Sequence, residues 1–262
     1  MILRGTVFSE ILEMDAGIAL LVPNGFKQEE PYRTVYLLHG LSGNSSTWLD
    51  YSMLPVYAAN THAVFVMPEV GRSFYSDMKN GQKYFTYITE ELPNIVKKVF
   101  NVSSARENTY VMGSSMGGFG ALKIYLMNPE RYRACCAFAP ACPPLDGWLE
   151  DIRQNGETEA YRAKWGSQMP ADFRAIFGEN LEWQAENDLA ELAQRCSYPK
   201  DRMEIYMTCG DGDYLLQYVE QFYAEMQTLG YTVDYEKWTG RHDMPFFDES
   251  LKKALGKYLA WK

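Results

Sequence analysis

Ser115 lies in a pattern that could make it a nucleophile. Residues 109–117 read Thr-Tyr-Val-Met-Gly-Ser-Ser-Met-Gly, and a helix-forming segment, Phe119–Met127, follows. A short apolar run, a Gly-x-Ser-x-Gly turn and a helix are typical of the sharp turn that exposes a strained serine. Gly113 and Gly117 would let neighbouring backbone pass close to it. By itself, the five-residue pattern at 113–117 fits an ordinary glycine-rich turn equally well. The flanking strand and helix favour the interpretation that Ser115 is a nucleophile.

Three histidines could supply the base that such a serine needs: His39, His62 and His242. A serine hydroxyl attacks poorly at neutral pH until a base takes its proton and a carboxylate orients that base. His242 lies between the last predicted strand and the last predicted helix, where the base arrives when the chain order is nucleophile, acid, histidine. We therefore predict His242 as the base. His62 has no motif around it, which indicates a surface or structural histidine.

Two aspartates compete for the role of the orienting acid. They lie in the sequence Cys209-Gly-Asp-Gly-Asp-Tyr, after the strand that precedes the last one. We choose Asp213, because Gly210 and Gly212 allow the loop to turn back, and keep Asp211 as the alternative. The aspartate that does not orient the base should cap the following helix. Asp243 adjoins His242 and is too close in sequence to orient its ring easily.

An oxyanion requires two fixed N–H donors. One should be the amide of Met116, the residue after the predicted nucleophile. An early apolar run ends in His39-Gly-Leu-Ser-Gly-Asn, a loop of mostly small residues. We expect the Leu41 amide in this loop to be the second donor. His39 would then brace the loop and would not act as a second base.

The remaining chain predicts the frame that brings these loops together. Continuous apolar runs indicate strands that are buried on both faces of a parallel sheet, with helices between several of them. The predicted strands are 34–38, 63–67, 109–112, 134–138, 203–208 and 231–238, after two short antiparallel strands at 2–9 and 18–22. The predicted helices are 84–100, 119–127, 214–229 and 246–261. This alternation predicts one α/β domain over residues 1–262, with a mostly parallel, doubly wound sheet.

Residues 143–198 interrupt this alternation and suit short helices better than strands. The segment is polar and contains Trp148, Trp165 and Trp183. At this point of the chain, an insertion would lie over the carboxyl ends of the strands, where open α/β sheets bind ligands. We expect a small helical cap there, although a solvated excursion whose tryptophans pack on the body explains the pattern equally well.

The amino-acid composition excludes some classes of binding partner but says little about the activity. The 262 residues carry a formal net charge of −9. Nucleic acids and anionic membranes require basic patches, so neither is the expected partner. No apolar run has the length of a signal peptide or of a membrane span, which predicts a cytoplasmic location. The five cysteines are odd in number and include the adjacent Cys135 and Cys136, which favours core thiols, and no spacing predicts a metal site.

Together these motifs resemble the esterase D family of α/β-hydrolases. The resemblance rests on His39-Gly-Leu-Ser-Gly-Asn with Trp48, on Met67-Pro68, on Glu90-Glu-Leu-Pro, on the Ser115 turn and on the Asp213 and His242 loops. The resemblance covers nearly the whole chain. Within the family, the chain is most similar to the bacterial tributyrin and acetyl esterases. These are related to S-formylglutathione hydrolases, feruloyl esterases and mycolyltransferases. It implies the α/β-hydrolase fold, a Ser115–His242–Asp213 triad, oxyanion donors at Leu41 and Met116, no cofactor and short acyl groups. Residues 143–198 match no pattern that we can assign.

We therefore expect a serine carboxylesterase that acts on short-chain acyl esters of small molecules. Trp48, Phe74 and Tyr75 are the predicted walls of its pocket, although core packing explains Trp48 nearly as well. The alternatives are thioester hydrolysis of S-formylglutathione, a feruloyl-type esterase, acyl transfer to an acceptor other than water, and a non-catalytic binding protein. The intact set of three polar residues argues against the last. A homo-oligomer is compatible with the sequence.

Overall fold

The computed structural model describes residues 1–23 and 31–259, which contain one eight-stranded sheet. The strands are β1 (Ile2–Ser9), β2 (Met14–Leu21), β3 (Arg33–Leu38), β4 (Ala63–Pro68), β5 (Thr109–Ser114), β6 (Ala134–Phe138), β7 (Glu204–Gly210) and β8 (Val233–Trp238). Their order across the sheet is β1-β2-β4-β3-β5-β6-β7-β8. β2 pairs antiparallel with β1 and with β4, whereas the pairs from β4 to β8 are all parallel. The mostly parallel sheet and its antiparallel lead-in are confirmed.

Helices occupy the connections between the parallel strands, and one more helix follows β8. They are α1 (Thr47–Tyr51), α2 (Leu54–Tyr57), α3 (Tyr84–Thr86), α4 (Leu92–Val99), α5 (Met116–Met127), α6 (Leu145–Asn155), α7 (Glu159–Trp165), α8 (Met169–Phe177), α9 (Leu189–Arg195), α10 (Leu216–Thr228) and α11 (Met244–Tyr258). α5 packs on β3, β5 and β6, and α11 packs on β6 and β7. No helix among the described residues combines the length and the apolar character that crossing a bilayer requires.

The central strands are covered on both faces. β4, β5 and β6 are buried at every residue, and β3 and β7 at every residue but the first. Because successive side chains of a strand point to opposite faces, complete burial requires packing on both. The predicted doubly wound architecture is therefore observed. The thiols of Cys135 and Cys136 lie in β6, where burial raises their pKa, and all five cysteines are free.

Several element ends differ from the prediction for local reasons. The sequence predicts Tyr231 in the last strand, but its amide donates to the Met226 carbonyl, so it belongs to the turn that follows α10. The helix predicted over 84–100 is divided by a π-helical turn at Tyr87–Glu91. Pro93 lacks the N–H that would reach Thr89, and Arg131 donates to the Thr89 carbonyl instead, at 2.8 Å. The predicted end of the last helix, at 260–261, lies outside the described residues.

Residues 143–198 form the four helices α6 to α9 between β6 and β7, as the predicted cap requires. We call this segment the cap. It ends in α9, which packs against α5.

Candidate active site

The Ser115 turn joins the end of β5 to the start of α5. Ser115 has φ 55° and ψ −119°, a conformation that a residue with a side chain rarely adopts. A Cβ on Gly113 would lie 2.4 Å from the carbonyl oxygen of Gly117, and one on Gly117 would lie 2.4 Å from that of Leu38. Both distances are far shorter than a van der Waals contact. The two glycines therefore allow β5, α5 and the end of β3 to meet beside the serine.

Ser115, His242 and Asp213 form one hydrogen-bonded chain. The Ser115 hydroxyl lies 2.8 Å from His242 Nε2, and His242 Nδ1 lies 2.8 Å from Asp213 Oδ2. A carboxylate can only accept, so the proton is on Nδ1 and the lone pair of Nε2 faces the serine. The Asp213 side chain is 0% exposed and that of His242 12%. The sequence-based choice of these three residues thus corresponds to one continuous arrangement.

Asp211 and Asp243 support the loops around this arrangement. Asp211 accepts hydrogen bonds from the Gly240 amide at 3.2 Å and the Thr239 hydroxyl at 3.1 Å, so it joins the acid loop to the histidine loop. The expectation that it caps the next helix is wrong, because α10 begins at Leu216 and has no side-chain cap. Asp243 caps α11 by accepting from the amide of Phe246 at 3.1 Å.

The two residues predicted to supply the oxyanion donors line the same cavity as Ser115. Leu41 and Met116 both line the cavity that contains Ser115 and His242. Neither amide donates a hydrogen bond within the described part of the chain. For Met116 this follows from its place at the start of α5, where the first amides of a helix have no partner in the helix. Two such amides beside Ser115 could stabilise an oxyanion.

His39 and Tyr75 hold the loop that carries Leu41. His39 Nδ1 donates to the Gly40 carbonyl at 2.8 Å, and its Nε2 accepts from the Val70 amide at 3.3 Å. Burial lowers the pKa of His39, which favours this neutral form. The Tyr75 hydroxyl donates to the His39 carbonyl at 2.9 Å. His39 braces the loop, as predicted.

A cavity of about 530 Å³ opens in front of Ser115. Phe74 lines it, but the prediction that Trp48 and Tyr75 also form its walls is wrong. Trp48 is 1% exposed and donates its indole N–H to the Leu38 carbonyl at 3.0 Å. Leu38 immediately precedes residues 39–44, the loop that carries Leu41, which we call the oxyanion loop. Tyr75 is fully buried because its hydroxyl supports the same loop. Both aromatic side chains support the site from within the core.

The cap provides walls that the sequence did not assign. Trp148, Lys164, Trp165 and Met169 line the cavity, together with Tyr214 from the loop before α10. The ring centroids of Tyr214 and His242 are 4.6 Å apart, and those of Tyr214 and Trp165 are 6.0 Å apart. The cap tryptophans were a usable signal, but only the fold shows which of them face the cavity: Trp183 donates to Asp188 and lies elsewhere.

His62 is distant from this chemistry. It precedes β4 at the opposite end of the parallel strands, where its ring stacks on that of Tyr32 at 4.8 Å between centroids. This placement agrees with a structural histidine.

Comparison with known proteins identifies the family. The family model described as "Putative esterase" matches residues 9–258. The chain belongs to this esterase family. It is 26% identical over 265 residues to an acetyl esterase from Caldicellulosiruptor saccharolyticus, covering 97% of this chain and 96% of that protein. It is 32% identical over 152 residues, 56% of this chain and 45% of the other, to an S-formylglutathione hydrolase from Bos taurus.

A solved structure shows the same fold at low identity. The fluorophosphonate-binding serine hydrolase F of Staphylococcus aureus, in a substrate-bound structure, superposes with a TM-score of 0.81 at 22% identity. The match covers 99% of this chain and 98% of that one. The protein is an α/β-hydrolase of the esterase family, and as such a serine hydrolase that acts on carboxylic ester bonds.

Proposed function

We propose that the protein hydrolyses esters of short acyl groups through an acyl-enzyme on Ser115. The observation that carries the proposal is the continuous chain from Asp213 through His242 to Ser115, with both distances at 2.8 Å. Hydrogen-bond distance between nucleophile, base and orienting acid is the geometric requirement for this chemistry. The similarity to an acetyl esterase over nearly the full length supports the short acyl group.

The reaction would follow the arrangement of these groups. Ser115 Oγ attacks the ester carbonyl while His242 Nε2 takes its proton, and the oxyanion is held by the amides of Leu41 and Met116. His242 then gives that proton to the leaving alcohol. Water repeats the sequence on the acyl-enzyme and regenerates Ser115. Asp213 keeps the proton of the resting imidazole on Nδ1 and stabilises the imidazolium that forms at each step.

The walls of the cavity support a limited acyl length. Phe74 packs edge to face against Trp148, with 5.6 Å between centroids, and the two rings form part of the wall of the cavity. Each methylene that finds apolar space contributes about 0.8 kcal/mol, whereas one that clashes costs a similar amount or more. We therefore expect kcat/KM to be highest for acetyl to butyryl esters and to fall for longer ones.

Two measurements test the proposal. A fluorophosphonate should label Ser115, as located by peptide mass spectrometry, and should spare the adjacent Ser114. Ser115→Ala should abolish labelling and lower turnover by about 10⁴-fold, while Ser104→Ala, at an exposed position, should retain both. Rates that climb from butyryl through octanoyl and decanoyl esters would contradict the acyl assignment, and an active Ser115→Ala would remove the nucleophile.

A second candidate is hydrolysis of the thioester S-formylglutathione. It is favoured by the 32% identity to the bovine S-formylglutathione hydrolase, which extends over only 152 residues. A thioester uses the same nucleophile and oxyanion donors, so the leaving group distinguishes the two substrates. Measuring kcat/KM for S-formylglutathione beside acetyl, butyryl and feruloyl esters would decide between them.

A further inference from the structure

Lys123 is a buried charged residue that the ester chemistry does not use. It lies in α5, two turns after Ser115, and is 1% exposed. Lysine is almost never fully buried unless it is paired. Among the described residues, no carboxylate lies within ion-pair distance of its ammonium; Asp77 and Glu186 act on it only through their longer-range charge. Burial of a charge without a nearby counter-charge lowers the stability of the fold. The contacts of Lys123 therefore indicate what the residue contributes in return.

The contacts of Lys123 match the three N–H groups of an ammonium. Its Nζ donates to Ser76 Oγ at 3.0 Å and to Asn187 Oδ1, and it lies 4.8 Å from the centre of the Phe85 ring. Two oxygen acceptors and one aromatic face account for three protons. A neutral amine has only two N–H groups, so the Ser76 hydroxyl would have to turn and donate to the lone pair of the amine. The charged form satisfies all three contacts and leaves the Ser76 hydroxyl proton for Asn187 or Phe74.

Ser76 connects Lys123 to the wall of the catalytic cavity. Phe74 and Tyr75, just before it, both have positive φ, 49° and 52°. The Ser76 hydroxyl lies 3.1 Å from the Phe74 carbonyl, which closes this strained turn. We call residues 74–76 the strap. Strained backbone of this kind persists only where its surroundings hold it.

The strap lies along one face of α5. A Cβ on Gly120 would come within 2.4 Å of the Tyr75 ring, so that ring packs directly on the helix backbone. Residues three apart in a helix share a face. On this face of α5, Gly120 therefore contacts Tyr75 and Lys123 contacts Ser76. The same helix begins beside the nucleophile.

Asn187 connects the same lysine to the cap. Its Oδ1 also lies 2.6 Å from Ser76 Oγ, and its amide nitrogen donates to Gln184 at 2.6 Å, just before α9. Lys123 thus joins three parts of the molecule at one point: α5, the strap and the cap.

Phe74 borders a second, smaller cavity into which its ring could move. A second cavity of about 20 Å³ is lined by Phe74 and Trp148, which also line the catalytic cavity, and by Ser76 and Asn187. Phe74, Trp148 and Ala141 line both cavities and so lie between the two spaces. Displacement of Phe74 would join the two spaces and lengthen the pocket.

We propose that the Lys123 ammonium is a positioning residue that limits the acyl length, because it holds Phe74 and the cap in place through Ser76 and Asn187. The proposal rests on the ester hydrolysis proposed above and adds a determinant of its specificity. Loss of the proton or of the side chain loosens the strap and admits longer acyl groups.

The wild-type enzyme itself allows a test by pH. Burial lowers the pKa of Lys123 to about 7, against the opposing charges of Asp77 and Glu186. The ammonium therefore predominates below pH 7 and the neutral amine above it. We expect the ratio of kcat/KM for octanoyl to butyryl esters to rise between pH 6 and 8.5, by about fourfold for each further methylene that becomes buried. Any ionisation of the free enzyme that affects both substrates equally cancels in the ratio.

A matched pair of variants completes the experiment. Lys123→Met keeps a stem of similar length and leaves Ser76 and Asn187 bonded to each other; it should have a high ratio that does not change with pH. Lys98→Met, at an exposed position of α4, should show the wild-type ratio and its pH dependence. A wild-type ratio that is flat with pH, or a Lys123→Met enzyme with the wild-type profile, overturns the proposal.

Two further outcomes are also decisive. If Lys123→Met does not fold, the wild-type pH profile alone decides. Absence of any Ser115-dependent ester hydrolysis would overturn both this inference and the proposed function, whereas hydrolysis with a flat ratio would overturn only the role of Lys123.

Discussion

Asp213→Asn should inactivate the enzyme by reversing the proton arrangement on His242. In the wild-type structure Asp213 Oδ1 accepts the Leu215 amide at 2.8 Å, and Oδ2 accepts His242 Nδ1–H. An asparagine must keep its only oxygen on the Leu215 amide, because that donor cannot be moved. Its NH₂ then faces Nδ1, which must become the acceptor. The ring proton moves to Nε2, and His242 can no longer accept the proton of Ser115.

The size of the loss follows from the geometry. The Asp213 carboxylate and the imidazolium form a bond of 2.8 Å, so their charge centres lie roughly 4 Å apart. At an effective dielectric constant of about 20, this attraction amounts to about 4 kcal/mol, or about three orders of magnitude in rate. The unfavourable tautomer adds to this, and we expect kcat to fall by about 10⁴-fold.

Asp211→Asn is the matched control. Its amide oxygen can still accept from Gly240, and its NH₂ can donate to the Thr239 hydroxyl, so we expect kcat within about tenfold of wild type. Both variants should be compared on one activated butyryl ester, with the folded fraction checked by circular dichroism. A larger loss for Asp211→Asn than for Asp213→Asn would refute the assignment of the acid.

Three further substitutions test other parts of the site, and Gly147→Ala is a control outside it. Ser115→Gly should be more stable to unfolding than Ser115→Ala by about 1 kcal/mol, because only glycine adopts φ 55° without strain; equal melting temperatures would contradict strain at the turn. Gly117→Ala should lower both the melting temperature and kcat, the latter at least about 100-fold, since its Cβ would lie 2.4 Å from Leu38 O. Gly147→Ala in α6, where a Cβ meets open space, should stabilise the fold by about 0.5–1 kcal/mol instead. Phe74→Ala should move the best substrate from butyryl towards hexanoyl or octanoyl esters in a chain-length series, and an unchanged optimum would remove Phe74 from the acyl wall.

The positions of the strands along the chain and the loops that follow them could be predicted from the sequence. Apolar runs of β-branched and aromatic residues define the buried strands, and parallel strands place their carboxyl ends at one edge of the sheet. That rule alone brings the loops of Ser115, Asp213 and His242 together. The sequence also favoured Asp213 over Asp211, through Gly210 and Gly212, but it did not show that Asp211 would accept hydrogen bonds from Thr239 and Gly240 instead of capping a helix.

The sequence did not show which of the large aromatic side chains would point into the cavity. Trp48, Phe74 and Tyr75 are all aromatic and all close to the oxyanion loop, yet only Phe74 faces the cavity. The two consecutive left-handed residues of the strap determine this, and neither is a glycine whose presence would have indicated the turn. Lys123 gave a weaker sign: it is a single charge within the apolar segment Phe119–Met127. Its partners come from residues 47 and 64 positions away in the chain.

The burial of α5 has a consequence for how this enzyme can diversify. Every residue from Met116 to Leu126 is buried, so the helix that begins beside Ser115 has no face exposed to solvent. A substitution there disturbs the sheet, the oxyanion loop or the cap at once. The cap, in contrast, contributes Trp148, Lys164 and Trp165 to the cavity from helices with a solvent-exposed side. Substitutions in the cap can therefore change the shape of the cavity, and with it the substrate, one residue at a time. The arrangement of Ser115, His242 and Asp213 stays the same while this happens.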